Sequence, residues 1–200
     1  SLSLTAQSTT TDPAIYHTVF EENGTKIGYL VYAEFVNGKD NIFITSLNTI
    51  FSEFNAAGIT ELIVDLRYNP GGEISTACHL ASQIAPASVI ASEPVLVKMK
   101  YNTDLQAYFE SNPTQFAENL HYKFNSEVTN ANMQKVYFLT TSGTASASEL
   151  LISGLDPYMT VVQIGEPTHG KYTGAFVLPD DNEEWAMIPI VMKYSNIEGY

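Results

Sequence analysis

The sequence predicts an α/β domain: a layered β-sheet core built from βαβ units with flanking helices, a small helical insertion and an N-terminal β-hairpin. Three observations carry this. Short, nearly continuous apolar runs such as "ELIVDL" and "KVYFLT" read as strands buried on both faces. Between them lie stretches in which apolar residues recur every three or four positions, the period of an amphipathic helix. The breaks fall at glycine, proline and asparagine turns rather than in long polar linkers.

Residues 1–26 comprise a polar lead-in, whose first part suggests an edge strand, and the start of the hairpin. The hairpin turns at Asn23-Gly24, two residues that adopt positive φ at low cost. From Asp40 to Ala57, Phe43, Leu47, Ile50, Phe51 and Phe54 define one helix face, and Gly58 stops it. "TELIVDLR" is a strand, "NPGG" breaks it, and "ISTACHLASQIAP" restores helical spacing through Ala77, Leu80, Ala81 and Ile84 until Pro86. Strand, Gly-rich turn and helix make a βαβ signature, with "PVLVKMK" as the next strand. Residues 101–133 are too long for an ordinary connection and read as a small helical cap. Its aromatics, Tyr101, Tyr108, Phe109, Phe116 and Tyr122, are expected to form the cap's own core. "KVYFLTT" is again a strand, "ASASELLISGL" a helix closed by Gly154 and Pro157, and "TVVQIG" a strand. "GAFVL" and "WAMIPIVMKY" read as strands flanking the acidic turn "PDDNEE". The whole of 1–200 reads as one domain. Because it starts at Ser1 and stops at Tyr200 in apparent mid-element, both ends are expected to continue into a longer protein.

Composition narrows the partners. A chain of 200 residues, 44% hydrophobic, can bury one sizeable core. Nine basic against 22 acidic residues leave a net charge of −13, a field that repels phosphate backbones, so nucleic acid is not an expected partner. No apolar run approaches the roughly 18 residues of a spanning helix. The lone cysteine, Cys78, has no intrachain partner and reads as a buried small hydrophobe. Cys78 also has no second thiolate with which to share a metal, and no metal and no cofactor is expected.

Chemistry concentrates in "TSGTASASELL", directly after a predicted strand. A serine at such a strand-to-helix junction meets unpaired N–H groups and the positive end of the helix dipole, which suits an acyl-transfer nucleophile. Taken alone, the run reads more simply as N-caps and small packing residues. After the next strand, "GEPTHGKYTG" brings one of the few basic residues, Lys171, to a loop on the same side if the sheet is parallel. Its aromatic and apolar neighbours suggest burial, which would favour the neutral amine and let it act as a base. Asp65 and Arg67 read as a strand-end ion pair that fixes the neighbouring turn.

The ordered set "LIVDLRYNPGG", "TSGTASASELL" and "IGEPTHGKYTG" resembles the catalytic core of the C-terminal processing, or tail-specific, serine peptidases, peptidase family S41. The resemblance covers about Ile27 to Tyr194. It implies a layered fold like those of ClpP and crotonase, a Ser146 nucleophile and a Lys171 general base twenty-five residues later. Glu149 matches a position that orients this dyad. The resemblance also implies an oxyanion hole of main-chain N–H groups from Ala147 and from Gly71 or Gly72, and peptide or protein substrates. It implies action in the periplasm, at the cell surface or in secretion, and hydrolysis that could process protein C-termini. Three departures stand out. Ala175 occupies a position where many members carry a glutamine that holds the lysine, so a substitute partner such as Glu149 or Tyr172 is needed. His169 stands where an aromatic is common and could be a rim residue or a competing base. No PDZ segment is visible. A non-catalytic peptide-binding module of the same fold, and an esterase using the same dyad, are the alternatives.

Overall fold

The structure is a computed structural model, and it describes residues 11–182 and 184–200. The edge-strand expectation for the first residues lies mostly outside them. Asn23 and Gly24 take positive φ, 52° and 78°, and the chain folds back as β1 (Ala14–Glu22) against β2 (Thr25–Tyr32). After β2 comes α1 (Ile42–Ala57), which starts two residues later than its apolar period suggests because Asp40 and Asn41 are both left-handed. Its five expected apolar residues are all buried, and Gly58 closes it at φ 70°. Next come β3 (Glu61–Asp65), α2 (Ile74–Ile84), the short α3 (Ala87–Ile90) and β4 (Val95–Tyr101).

The 101–133 insertion is less helical than expected. It holds α4 (Thr103–Ser111) and α5 (Ala117–Leu120), but it also contributes β5 (His121–Lys123), which pairs with β4. Tyr101, Tyr108, Phe109 and Phe116 do form an aromatic cluster, with ring centroids 4.7–5.6 Å apart. Beyond it lie β6 (Lys135–Thr140), α6 (Ala147–Leu155) and β7 (Thr160–Gly165). Gly154 sits inside the last turn of α6 rather than closing it. A methyl there would come within 2.9 Å of Leu96, so the glycine serves the packing of α6 on β4. The two final predicted strands are each interrupted, giving β8 (Thr173–Ala175), β9 (Leu178–Pro179), β10 (Ala186–Met187) and β11 (Ile190–Ser195). Both halves pair antiparallel across the acidic turn, β9 with β10 and β8 with β11.

The strands form two main sheets, which sequence-local signals did not separate. One has the order β1-β2-β3-β6-β7, with β2, β3, β6 and β7 all parallel. The other is antiparallel, in the order β5-β4-β11-β8. The strand after α2 therefore leaves the parallel sheet, and the neighbour of β3 is β6, reached only after the insertion. One buried cluster runs from Leu30, Leu62, Val64 and Phe138 through α1, α2 and α6 to Leu96 and Met192. Because β3, β6 and β7 are parallel neighbours, the segments that follow them emerge at one edge of the sheet, the usual position of a site in such folds.

Candidate active site

Those three segments are the ones carrying the sequence motifs. After β3 the chain turns sharply, and the buried Asn69 organises the turn. Its Oδ1 accepts the Gly71 N–H at 2.9 Å and its Nδ2 donates to Tyr32 O at 3.0 Å. Its carbonyl accepts from the Ala145 N–H (3.2 Å) and the Ser148 hydroxyl (3.1 Å), tying the turn to the segment after β6. Thr144 adds a second tie, its hydroxyl donating to Leu66 O at 2.7 Å. Asp65 and Arg67 form the expected strand-end ion pair at 2.6 Å, and Tyr29 donates a further hydrogen bond to Asp65. Burial works to raise the Asp65 pKa, but the hydrogen bonds from Arg67 and Tyr29 outweigh it and hold the carboxyl below its ordinary value.

Gly71 and Gly72 take φ of 107° and 134°, a region that L side chains rarely adopt. Sterics require glycine there as well. A Cβ on Gly71 would lie 2.6 Å from Ser146 Cβ and 2.9 Å from Ala147 N; one on Gly72 would lie 2.1 Å from Phe35 O. The turn is thus pressed against the serine segment on one side and against the chain after β2 on the other.

Ser146 itself is the residue before α6, with φ 57° and ψ −116°. A positive φ on a non-glycine residue stores of the order of 1–3 kcal/mol, which the surrounding ties must hold. The main tie is Glu149, one turn into the helix. Its Oε2 accepts the Ser146 N–H at 2.8 Å and the Lys171 N–H at 2.8 Å, while Oε1 accepts the Gly170 N–H. One carboxylate therefore fixes both the serine and lysine segments.

Ser146 and Lys171 line one open cavity of about 300 Å³, together with Gly72, Glu73, Ala175 and Tyr194. The Gly71 N–H is committed to Asn69, whereas the N–H groups of Gly72 and Ala147 have no acceptor among the described residues. Lys171 is exposed rather than buried as its neighbours suggested, because Tyr172 beside it turns outward, 56% exposed with the Lys193 ammonium over its ring. The Lys171 amine has no hydrogen-bond or ion-pair partner among the described residues. His169 is exposed, and its N–H donates to Thr144 O at 2.9 Å; its side chain does not line the Ser146 cavity. Of the cap aromatics, Tyr122 leaves the cluster and lines the cavity. Cys78 is 5% exposed, and burial pushes its thiol pKa up, as befits a packing residue.

Sequence reading missed Asn69 and Tyr194. Asn69 stood in plain view in "RYNPGG", where a turn-forming asparagine before Pro-Gly-Gly is a recognisable signal. Tyr194 gave no signal, since an aromatic in a strand is ordinary.

The arrangement offers what acyl transfer would need: a hydroxyl at a helix start, an amine without a partner among the described residues in the same cavity, and N–H groups without acceptors beside the hydroxyl. The chain is similar to several known proteins. A carboxyl-terminal-processing protease of Picosynechococcus is 28% identical over 168 residues, covering 83% of this chain and 34% of that protein. An S41 protease of Bacteroides fragilis superposes with a TM-score of 0.82 at 29% identity, over 97% of this chain and 49% of that one. The photosystem II D1 C-terminal processing protease shares the fold, with a TM-score of 0.69 at 20% identity over 96% of this chain and 46% of its own. The chain thus spans about a third to a half of the length of these relatives. The model of peptidase family S41 matches residues 26–199. With that match extending over nearly all of its length, the chain belongs to peptidase family S41.

Proposed function

We propose that this domain hydrolyses peptide bonds by nucleophilic catalysis, with Ser146 as nucleophile and Lys171 as general base. The neutral Lys171 amine takes the Ser146 proton as Oγ attacks the scissile carbonyl. The tetrahedral oxyanion accepts hydrogen bonds from the main-chain N–H groups of Gly72 and Ala147. Lys171 then returns the proton to the departing amine, leaving an acyl-enzyme on Ser146 that water hydrolyses. No metal and no cofactor enters any of these steps.

The observation that carries this reading is the shared carboxylate: Glu149 accepts main-chain N–H groups from both Ser146 and Lys171. A protein with only a structural use for that serine would not need its strained backbone coupled to a loop with a free amine. The substrate is a peptide or protein, and processing of protein C-termini is favoured by the name of the Picosynechococcus relative. Action outside the cytoplasm is part of the same proposal and rests on the resemblance to the tail-specific peptidases.

The test is mass spectrometry of the full-length protein after a serine-directed phosphonate, run beside a peptide-cleavage assay. One adduct on Ser146, absent in Ser146→Ala together with peptide turnover, is the expected result. An adduct or turnover that survives Ser146→Ala overturns the assignment.

A further inference from the structure

The antiparallel sheet delivers one side chain into the dyad that the three motifs do not contain. Tyr194 lies on β11, between β4 and β8, and is only 7% exposed. Its hydroxyl donates a hydrogen bond to the main-chain carbonyl of Lys171, and its main-chain N–H donates to Tyr172 O at 3.1 Å. Two bonds from one residue therefore hold consecutive carbonyls of the lysine loop. The ring lines the cavity shared by Ser146 and Lys171, and it also lines a second cavity of about 270 Å³ behind Lys171, beside Ile152 and Tyr172. It is thus a partition at the lysine, with the serine on one side.

β11 is also tied to the serine's own helix. It packs against α6, and Asn196, just past the strand, donates to Ser153 O at 2.9 Å. Residue 175, on β8, offers only the methyl group of an alanine to this cavity. No side-chain hydrogen bond from that position can orient the lysine.

On this geometry we propose that Tyr194 is the positioning residue of the Ser146–Lys171 pair, its hydroxyl fixing the lysine loop against the serine in place of any contribution from residue 175. The proposal rests on the Ser-Lys reading given above. Glu149 holds the N–H side of Lys171 and Tyr194 holds its carbonyl, so the peptide units on both sides of the base are pinned. The remaining freedom lies in the lysine side chain, which can swing toward Ser146. Burial, with the Glu149 charge adding to it, pushes the phenol pKa up to about 12 against the lowering effect of Ser146. The hydroxyl thus stays protonated, a donor and not a base, across the working range.

The experiment is steady-state kinetics of full-length Tyr194→Phe on a peptide substrate, with Ser146→Ala as the reference and thermal denaturation on every variant. Tyr194→Phe keeps the ring and removes only the hydroxyl. The expected result is a fall in kcat of about tenfold, KM within twofold, a melting temperature close to that of the parent, and an unchanged shape of the pH profile. Site-specific 3-fluorotyrosine at 194, which keeps the hydroxyl, should restore kcat to within about twofold. If kcat of Tyr194→Phe stays within twofold of the parent, or if KM alone changes, the proposal is overturned. If the drop in kcat is matched by an unfolded fraction at the assay temperature, or fluorotyrosine fails to restore it, the hydroxyl is structural and the proposal is again overturned. Loss of the Ser-Lys reading would show separately, as turnover that survives in Ser146→Ala.

Discussion

The carboxylate of Glu149 accepts the main-chain N–H of Lys171 at 2.8 Å through the same oxygen that accepts the N–H of Ser146. Two segments that follow different strands are thereby referenced to one atom. Charge-assisted hydrogen bonds of this type are each worth about 1.5–3 kcal/mol net. Glu149→Ala should lower stability by roughly 2–4 kcal/mol and reduce kcat by about 100-fold or more, since both partners of the proposed dyad lose their reference. Glu149→Gln, with one acceptor oxygen left, should fall between. Urea denaturation and peptide turnover check both numbers; near-parental turnover in Glu149→Ala would show that the carboxylate has no catalytic consequence.

The two glycines of the turn should respond differently to the same change. A methyl on Gly71 meets Ser146 Cβ at 2.6 Å and Ala145 O at 2.7 Å, whereas one on Gly72 meets Phe35 O at 2.1 Å. Gly71→Ala should therefore displace Ser146, the proposed nucleophile, with more than tenfold loss of kcat at a stability cost of about 1–3 kcal/mol. Gly72→Ala drives into rigid backbone and should destabilise more. Melting temperatures and phosphonate labelling rates of the two variants give the ranking, and the reverse order of stabilities contradicts it.

Lys171 is the proposed base and His169 its rival, and their surroundings differ. Lys171 lines the cavity with Ser146, whereas His169 does not. Lys171→Ala should abolish peptide turnover at every pH with little change in stability, because the side chain is exposed. His169→Ala should retain turnover to within a few-fold. Near-normal kcat/KM in Lys171→Ala, with loss in His169→Ala, would reverse the assignment.

Acid should destabilise the fold in two steps. Burial lowers the pKa of His79, whose Nε2 lies 2.9 Å from Asn48 Oδ1. The neutral ring is favoured in the folded state, so its contribution is complete above the ordinary histidine value of about 6.5 and is lost as pH falls toward the depressed folded value. Asp65, also held below its ordinary value, contributes fully above about pH 3.9 and loses that contribution below it. Denaturation midpoints between pH 7.5 and 3 should show both slopes. His79→Gln should flatten the first slope and leave the second; an unchanged first slope would mean that another group titrates there.

Much of the fold and of the candidate site was legible in the sequence, and the legible part has a common cause. Phe43, Leu47, Ile50, Phe51 and Phe54 announce a helix because its period is set by local backbone geometry, and all five are buried as expected. Asn23-Gly24 announces a hairpin because positive φ is a property of those residues themselves. Ser146, Lys171 and Gly72 were singled out through short motifs shared with a family, and they line one cavity; their roles are those proposed above.

Tertiary structure alone decided which of these local pieces meet. Nothing near β3 in sequence says that its parallel neighbour is β6, or that β4 departs to a second sheet, because strand order is settled by long-range pairing and burial. The exposure of Lys171 was misjudged for the same reason: an aromatic neighbour in sequence suggested cover, but Tyr172 points away and leaves the amine open. Tyr194 reaches the lysine loop only because β11 lies beside β8, a pairing between segments some twenty residues apart. A hydrogen bond from a strand tyrosine to a remote carbonyl leaves no trace in composition or period, since its energy depends on where two segments come to rest and not on what surrounds either of them in the chain.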